Sequence, residues 1–131
     1  MTERDALYLH KAHESLAGAE SEAANARYNN TANRCYYATF QAAIAALQRA
    51  GIRPRGEQWS HEFVPAQFDG QLIYRRKLYP TELRSVLERN YVLRQKADYE
   101  DDEVTQTEAQ RALRRTRSFV QSVQERGGGA A

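Results

Sequence analysis

Apolar residues recur every three to four positions along almost the whole chain, which is the spacing of helices and not of strands. The first such segment runs from about Thr2 to about Asn25 and is rich in Ala, Glu and Leu; Thr2 can cap it, with Asp5 three residues later. Asn29, Asn30 and Thr31 make a polar break, and any of them can cap a second helix that runs to about Ala50, where Gly51 is a natural left-handed terminator. Residues 51–59, with two glycines and a proline, read as a loop. The next element has two readings. Ser60 can cap a helix from His61, with Pro65 inside it, or a helix can start near Pro65 and end before Gly70. Pro80 opens a fourth helix over about 80–97, with Leu83, Leu87 and Tyr91 at spacings of four. Asp98 to Asp102 form an acidic break. A fifth helix over about 103–126 carries Ala109, Leu113, Phe119, Val120 and Val123. The pattern predicts an all-α, single-domain antiparallel helical bundle of four to five helices over residues 1–126, followed by a disordered Gly/Ala tail at 127–131.

The second helix has the widest apolar arc. Tyr36, Phe40, Ala43 and Leu47 form one row and Tyr37 with Ile44 a second, so neighbours are expected on most sides, and a homodimer is expected from the same breadth. Arg34, Ala38 and Gln41 form a third row. Seven residues turn about 700°, which returns Arg34 and Gln41 to nearly one face, roughly 10 Å apart. The row reads as a narrow polar groove with a shallow alanine floor. Its plain alternative is that Arg34 pairs with a carboxylate and Gln41 satisfies a backbone group.

Composition narrows the classes. A chain of 131 residues, 41% hydrophobic and 27% charged, suits one soluble domain. A formal charge of +2 is too small to establish nucleic-acid binding by itself. The strongest apolar run, within 42–47, falls far short of the ~20 residues of a membrane span, and the polar start shows no signal peptide. Cys35 is the single cysteine, so no intrachain disulfide forms, and a cytoplasmic setting is the expectation. His10 and His13 lie one turn apart, but no further Cys or His supports a metal site. No phosphate loop, cofactor motif or catalytic triad spacing is visible.

The run Ala32-Asn33-Arg34-Cys35-Tyr36-Tyr37-Ala38-Thr39-Phe40-Gln41 resembles the signature helix of the HEPN superfamily, in its small stand-alone prokaryotic branch. Arg94-Gln95-Lys96-Ala97-Asp98-Tyr99 is similar to a second segment of that branch, and His61 ahead of Val64 and Phe68 fits its middle region. The resemblance spans about residues 5 to 125. It implies a helical bundle that often dimerises, and an activity found in many such proteins: metal-independent RNA cleavage by toxins encoded beside a nucleotidyltransferase antitoxin. It also implies an active site made of an arginine and a histidine, completed by a second copy. Carried onto this chain, Arg34 and Gln41 hold the catalytic positions. Arg34, Asn33, Tyr37, Arg94, Asp98 and Tyr99 are the expected RNA- or nucleotide-binding set.

One departure changes the expected chemistry. Gln41 stands where the family has histidine. Metal-free RNA cleavage needs a group that takes a proton from the 2′-hydroxyl and another that protonates the leaving oxygen, and histidine suits both. Glutamine does not titrate. Arg34 can still hold a phosphate with its fork of donors. His61 is the stand-in candidate for the base. The expectation is therefore a HEPN-like module that binds RNA, a nucleotide or a nucleotidyltransferase partner, with weakened or lost nuclease activity. The alternative is an active endoribonuclease using Arg34 and a non-standard base. Arg94 can also be a plain ion pair with Asp98 one turn on. Arg111, Arg114, Arg115 and Arg117, with Arg75, Arg76 and Lys77, are clusters that can track a phosphate backbone or simply face solvent.

Overall fold

In the computed structural model, which describes residues 3–54 and 56–129, α1 (Glu3–Ala24) turns within three residues and returns as α2 (Tyr28–Arg49). A loop leads to α3 (Phe63–Gln67), which passes without interruption into a π-helical segment (Phe68–Arg75). A 3-10 turn (Thr81–Leu83) precedes α4 (Val86–Tyr99), and α5 (Gln106–Gly129) closes the chain. Among the described residues there is no strand, and no helix is long and apolar enough to cross a membrane.

Side-chain pairs give the directions. Asn30 on α2 donates to Glu22 on α1 (3.3 Å), and Gln41 lies beside Ser15, so α1 and α2 are antiparallel. Asn33 meets Asp98 while Asn90 meets Cys35, so α2 and α4 are antiparallel. Lys96–Glu108 and Asn90–Arg115 set α4 against α5 in the same sense, and Glu20–Arg117 with His13–Gln124 do so for α1 and α5. The four long helices thus form an antiparallel bundle, with α2 buried between α1, α4 and α5. The expectation that α2 has neighbours on most sides holds.

The ends of α2 show where local sequence logic held and where it did not. At the C-terminus Gly51 is left-handed (φ 80°). Its N–H reaches the Gln48 carbonyl and the Ile52 N–H reaches Leu47, a Schellman closure. At the N-terminus the helix starts at Tyr28, ahead of the expected caps Asn29, Asn30 and Thr31. The turn is made by Ala26 at φ 58°. The polar residues serve elsewhere: Asn29 accepts from the Val104 N–H (2.9 Å), and Thr31 donates back to the Arg27 carbonyl (3.0 Å). The expected Thr2 cap lies outside the described residues.

The middle of the chain corrects more. Ser60 Oγ accepts from the Phe63 N–H at 3.0 Å, but the helix does not start at His61 as expected: it starts at Phe63 with Glu62 at its N-cap, so Pro65 falls in the first turn, where no N–H is needed. Gly70 ends nothing; it sits inside the π-helix, where Arg76 N–H bonds the Gln71 carbonyl five residues back. The wider winding brings Phe68, Leu72 and Ile73, all buried, onto one face. Pro80 is extended and opens only the 3-10 turn; α4 begins six residues later, at Val86. This path lets Leu83, Val86 and Leu87 all reach the core. Asp98 belongs to α4 and not to the acidic break. Thr105 and Glu108 form a reciprocal capping box, with the Glu108 N–H on Thr105 Oγ1 (3.1 Å) and the Thr105 N–H on Glu108 Oε1 (3.0 Å). That box delays α5 to Gln106. The helix is continuous to Gly129, past the expected end at 126; Ala130 and Ala131 lie outside the described residues.

The main core packs Leu47, Val64, Phe68, Leu72, Phe119, Val120 and Val123, with the Phe68 and Phe119 rings 4.9 Å apart. A second cluster of small residues, including Ala19, Ala32, Cys35, Ala109 and Ala112, lets α1, α2 and α5 approach closely. Burial pushes the Cys35 thiol up to about 11. The polar centre is Asn90, fully buried. Its amide nitrogen lies 3.2 Å from the Cys35 carbonyl, 3.2 Å from Thr39 Oγ1 and 2.9 Å from Thr116 Oγ1, and its oxygen accepts from Arg115 Nε at 2.7 Å. One side chain therefore ties α2, α4 and α5 together.

Candidate functional site

The residues singled out on α2 divide between its two flanks. On the α1 side, Arg34 is exposed and makes no hydrogen bond or ion pair among the described residues. Its aliphatic stem lies over Gly18: a Cβ added there would meet Arg34 Cδ at 3.7 Å and Cγ at 3.8 Å. The arginine stem thus packs against α1 at a small residue, where even a methyl would make only ordinary contact, and the side chain stays exposed.

Gln41 is engaged instead. Its amide nitrogen faces three acceptors: the Tyr37 carbonyl at 3.1 Å, the Lys11 carbonyl at 3.0 Å and Ser15 Oγ at 2.7 Å. It is half-buried, so leaving those contacts unmade would expose desolvated acceptors. The plain alternative for this row holds in one half: Arg34 pairs with no carboxylate among the described residues, while Gln41 does satisfy backbone groups.

On the α4 side the second motif segment comes into contact with the first. Asn33 Nδ2 donates to Asp98 Oδ2 at 3.0 Å, and the same oxygen lies 3.4 Å from Arg94 Nε. The Arg94 guanidinium sits 4.8 Å from the Tyr36 ring centre and 5.3 Å from that of Tyr37. Burial raises the Tyr36 hydroxyl above the usual tyrosine range, and the Arg94 charge opposes this. Arg94 Nε is buried without a well-aligned hydrogen bond, so the ring faces and the Asp98 charge are what hold it. Asn33, Tyr37, Arg94 and Asp98 therefore form one cluster. Tyr99 does not join it: its side chain is 71% exposed.

His61 approaches from the α2–α3 loop. Its ring stacks on Tyr91 (centres 3.5 Å apart, 16° between planes) and lies 6.3 Å from Tyr36, with Nδ1 buried and unpartnered. Tyr91 is fixed in turn by the Gln95 amide at 3.0 Å. His61 is thus placed on the α4 flank, while the Arg34 stem lies on the α1 flank. Among the described residues no group of three or more metal-ligating side chains comes together. The late arginines divide between two faces: Arg111 and Arg115 line a cleft between α4 and α5, with Arg115 Nε bonded to Asn90, while Arg114 and Arg117 border a separate hollow and Arg117 pairs with Glu20 at 3.3 Å.

Sequence reasoning missed Gly18, Ser15 and the Lys11 carbonyl, the α1 groups that decide how Arg34 and Gln41 lie. A glycine in mid-helix, unfavourable by propensity, was the available signal for Gly18. Nothing local marks Ser15 or Lys11.

The family described as HEPN domain matches residues 6–126. A Methanocaldococcus jannaschii protein named "Putative toxin MJ0605" is 30% identical over 115 residues, covering 87% of this chain and 81% of that protein.

Proposed function

Because this chain belongs to the HEPN domain family, we propose that it is a toxin-type HEPN module that binds RNA or a nucleotide and has weakened or lost nuclease activity. The observation that carries this reading is the contrast between two residues of one helix row. Arg34 is exposed and has no partner among the described residues, which leaves its guanidinium suited to a phosphate. Gln41 is tied to Tyr37, Ser15 and Lys11, and has no proton to exchange. Phosphate holding is kept, and proton transfer is not. Asn33, Tyr37, Arg94 and Asp98 border the same helix and supply polar and aromatic contacts for a nucleotide.

A second copy of the chain and a nucleotidyltransferase are the proposed partners. The wide apolar arc of α2 is largely covered by its own chain, so the surface left for a second copy is the strip of Asn30, Asn33, Arg34, Tyr37 and Phe40. A cytoplasmic setting is part of the same proposal.

The second reading is an active endoribonuclease that pairs Arg34 with His61 as base. It is favoured by the unpartnered Nδ1 of His61 and requires His61 to reach Arg34, within one chain or across a dimer. An RNA cleavage assay on wild type, Arg34→Ala and Gln41→His separates the two. Cleavage appearing only in Gln41→His supports the binding module; wild-type cleavage abolished by Arg34→Ala or by His61→Ala supports the enzyme.

A further inference from the structure

Away from the Arg34 strip, α4 and α5 enclose an open cleft of about 450 Å³ on the outer side of the bundle. The size is that of a small-molecule site. Its floor is apolar: Leu93 is buried, but Val92 is 58% exposed, an isolated large apolar side chain at a concave surface.

The charges along the cleft are unevenly matched. At one end Lys96 is neutralised by Glu108 at 2.9 Å and Asp102 at 3.6 Å. Towards the other, Arg89, Arg111 and Arg115 line the wall, and none of them pairs with a carboxylate among the described residues. Arg115 is the telling one. It is half-buried, its one hydrogen bond among the described residues goes to the neutral amide of Asn90, and burial first, with the charge of Arg89 in the same cleft adding to it, disfavours its positive charge. Burying a cation without a counter-charge is unfavourable, and bringing a second cation near makes it more so. An anion seated between the three guanidinium groups would relieve both.

We propose that the α4–α5 cleft binds a small phosphate ester with an apolar or aromatic body, the phosphate on Arg89, Arg111 and Arg115 and the body on Val92 and Leu93. Glu88 and Glu100 also border the cleft and pair with no cation among the described residues. The cleft's size and its apolar floor suit a compact ligand better than an RNA strand. The Asn90 link gives the site a physical route to α2: Asn90 holds Arg115 by its oxygen and reaches Cys35 and Thr39 by its nitrogen. This inference does not depend on the proposed function of Arg34.

The test titrates phenyl phosphate, inorganic phosphate and phenol into the full chain at low salt, following heat and the methyl resonances of Val92 and Leu93. The site predicts saturable binding of phenyl phosphate with shifts at both methyl groups, weaker binding of inorganic phosphate and none of phenol. Arg89→Ala and Arg111→Ala should each weaken phenyl phosphate binding, read at the Val92 and Leu93 methyl groups, by about tenfold, because each removes a charge-assisted contact, and Arg53→Ala, an exposed arginine outside the cleft, should leave it unchanged. Both arginines are exposed, so these variants should fold. Absence of saturation, or binding that survives Arg89→Ala and Arg111→Ala together, overturns the proposal. So does saturable binding that leaves the Val92 and Leu93 methyl groups unshifted, which would place the phosphate outside the cleft.

Discussion

Asn33 on α2 donates a hydrogen bond to Asp98 on α4 at 3.0 Å, joining two sequence segments that lie 65 residues apart. The bond orients the carboxylate against Arg94, whose guanidinium in turn covers Tyr36 and Tyr37. Removing the amide by Asn33→Ala should cost about 1 kcal/mol. Asp98→Ala should cost more, since it also leaves Arg94 without its counter-charge. Urea unfolding of the two variants checks the order. Arg94→Met adds a spectroscopic signature: with the opposing charge gone, the Tyr36 hydroxyl should titrate higher still.

Asn90 should be the most sensitive polar position in the molecule. Asn90→Ala strips partners from Thr39, Thr116, the Cys35 carbonyl and Arg115 at once. A loss of about 3 kcal/mol is expected, read as a lowered urea midpoint. A loss below that of Asn33→Ala would mean that water replaces the amide.

Gly18→Ala should stabilise the protein. The new methyl meets the Arg34 stem at ordinary contact distance, 3.7 Å, and replaces glycine in mid-helix, a gain of about 0.5–1 kcal/mol. Gly18→Leu has no such room and should swing Arg34 away, so it should weaken RNA binding. Equal RNA affinity in both variants would show that the seating of Arg34 on α1 is immaterial.

Asp69, half-buried on the π-helix, has its carboxyl pushed up to about 6 by burial, against the pull of Arg84. A raised folded value for an acid means that the folded state holds the proton more tightly than the unfolded chain. Its contribution is therefore present below about pH 4 and is lost as pH rises through about 6. Asp69→Asn should remove this slope and gain about 1 kcal/mol at pH 7, after discounting for solvent screening. Thermal unfolding of both proteins between pH 4 and 7 measures it. Parallel curves would contradict the assignment.

What could be read from the sequence follows from how local each signal is. The periodicity of α1, α2 and α5 is carried by long amphipathic stretches, and Gly51 closes α2 because a left-handed terminator is a local requirement. Residues 60–85 defeated the same logic. The π-helix through Gly70 and the delayed start of α4 are set by the need of Phe68, Leu72, Leu83 and Val86 to reach one core, a tertiary demand without a local marker. The site behaves similarly. The pairing of Arg94 with Asp98 is a one-turn helix spacing and was visible. The division of the α2 row into a free Arg34 and a bound Gln41 was not, because it depends on Gly18 and Ser15 of a different helix.

The proposed function rests on an arginine that holds phosphate without a proton-transferring partner. The most direct measurement is cleavage and binding of single-stranded RNA by purified wild type, Arg34→Ala and Gln41→His, in the presence of a metal chelator. Wild type should bind without cutting, Arg34→Ala should bind about tenfold more weakly, and Gln41→His should gain cleavage. Robust metal-free cleavage by wild type, abolished in Arg34→Ala, would contradict it.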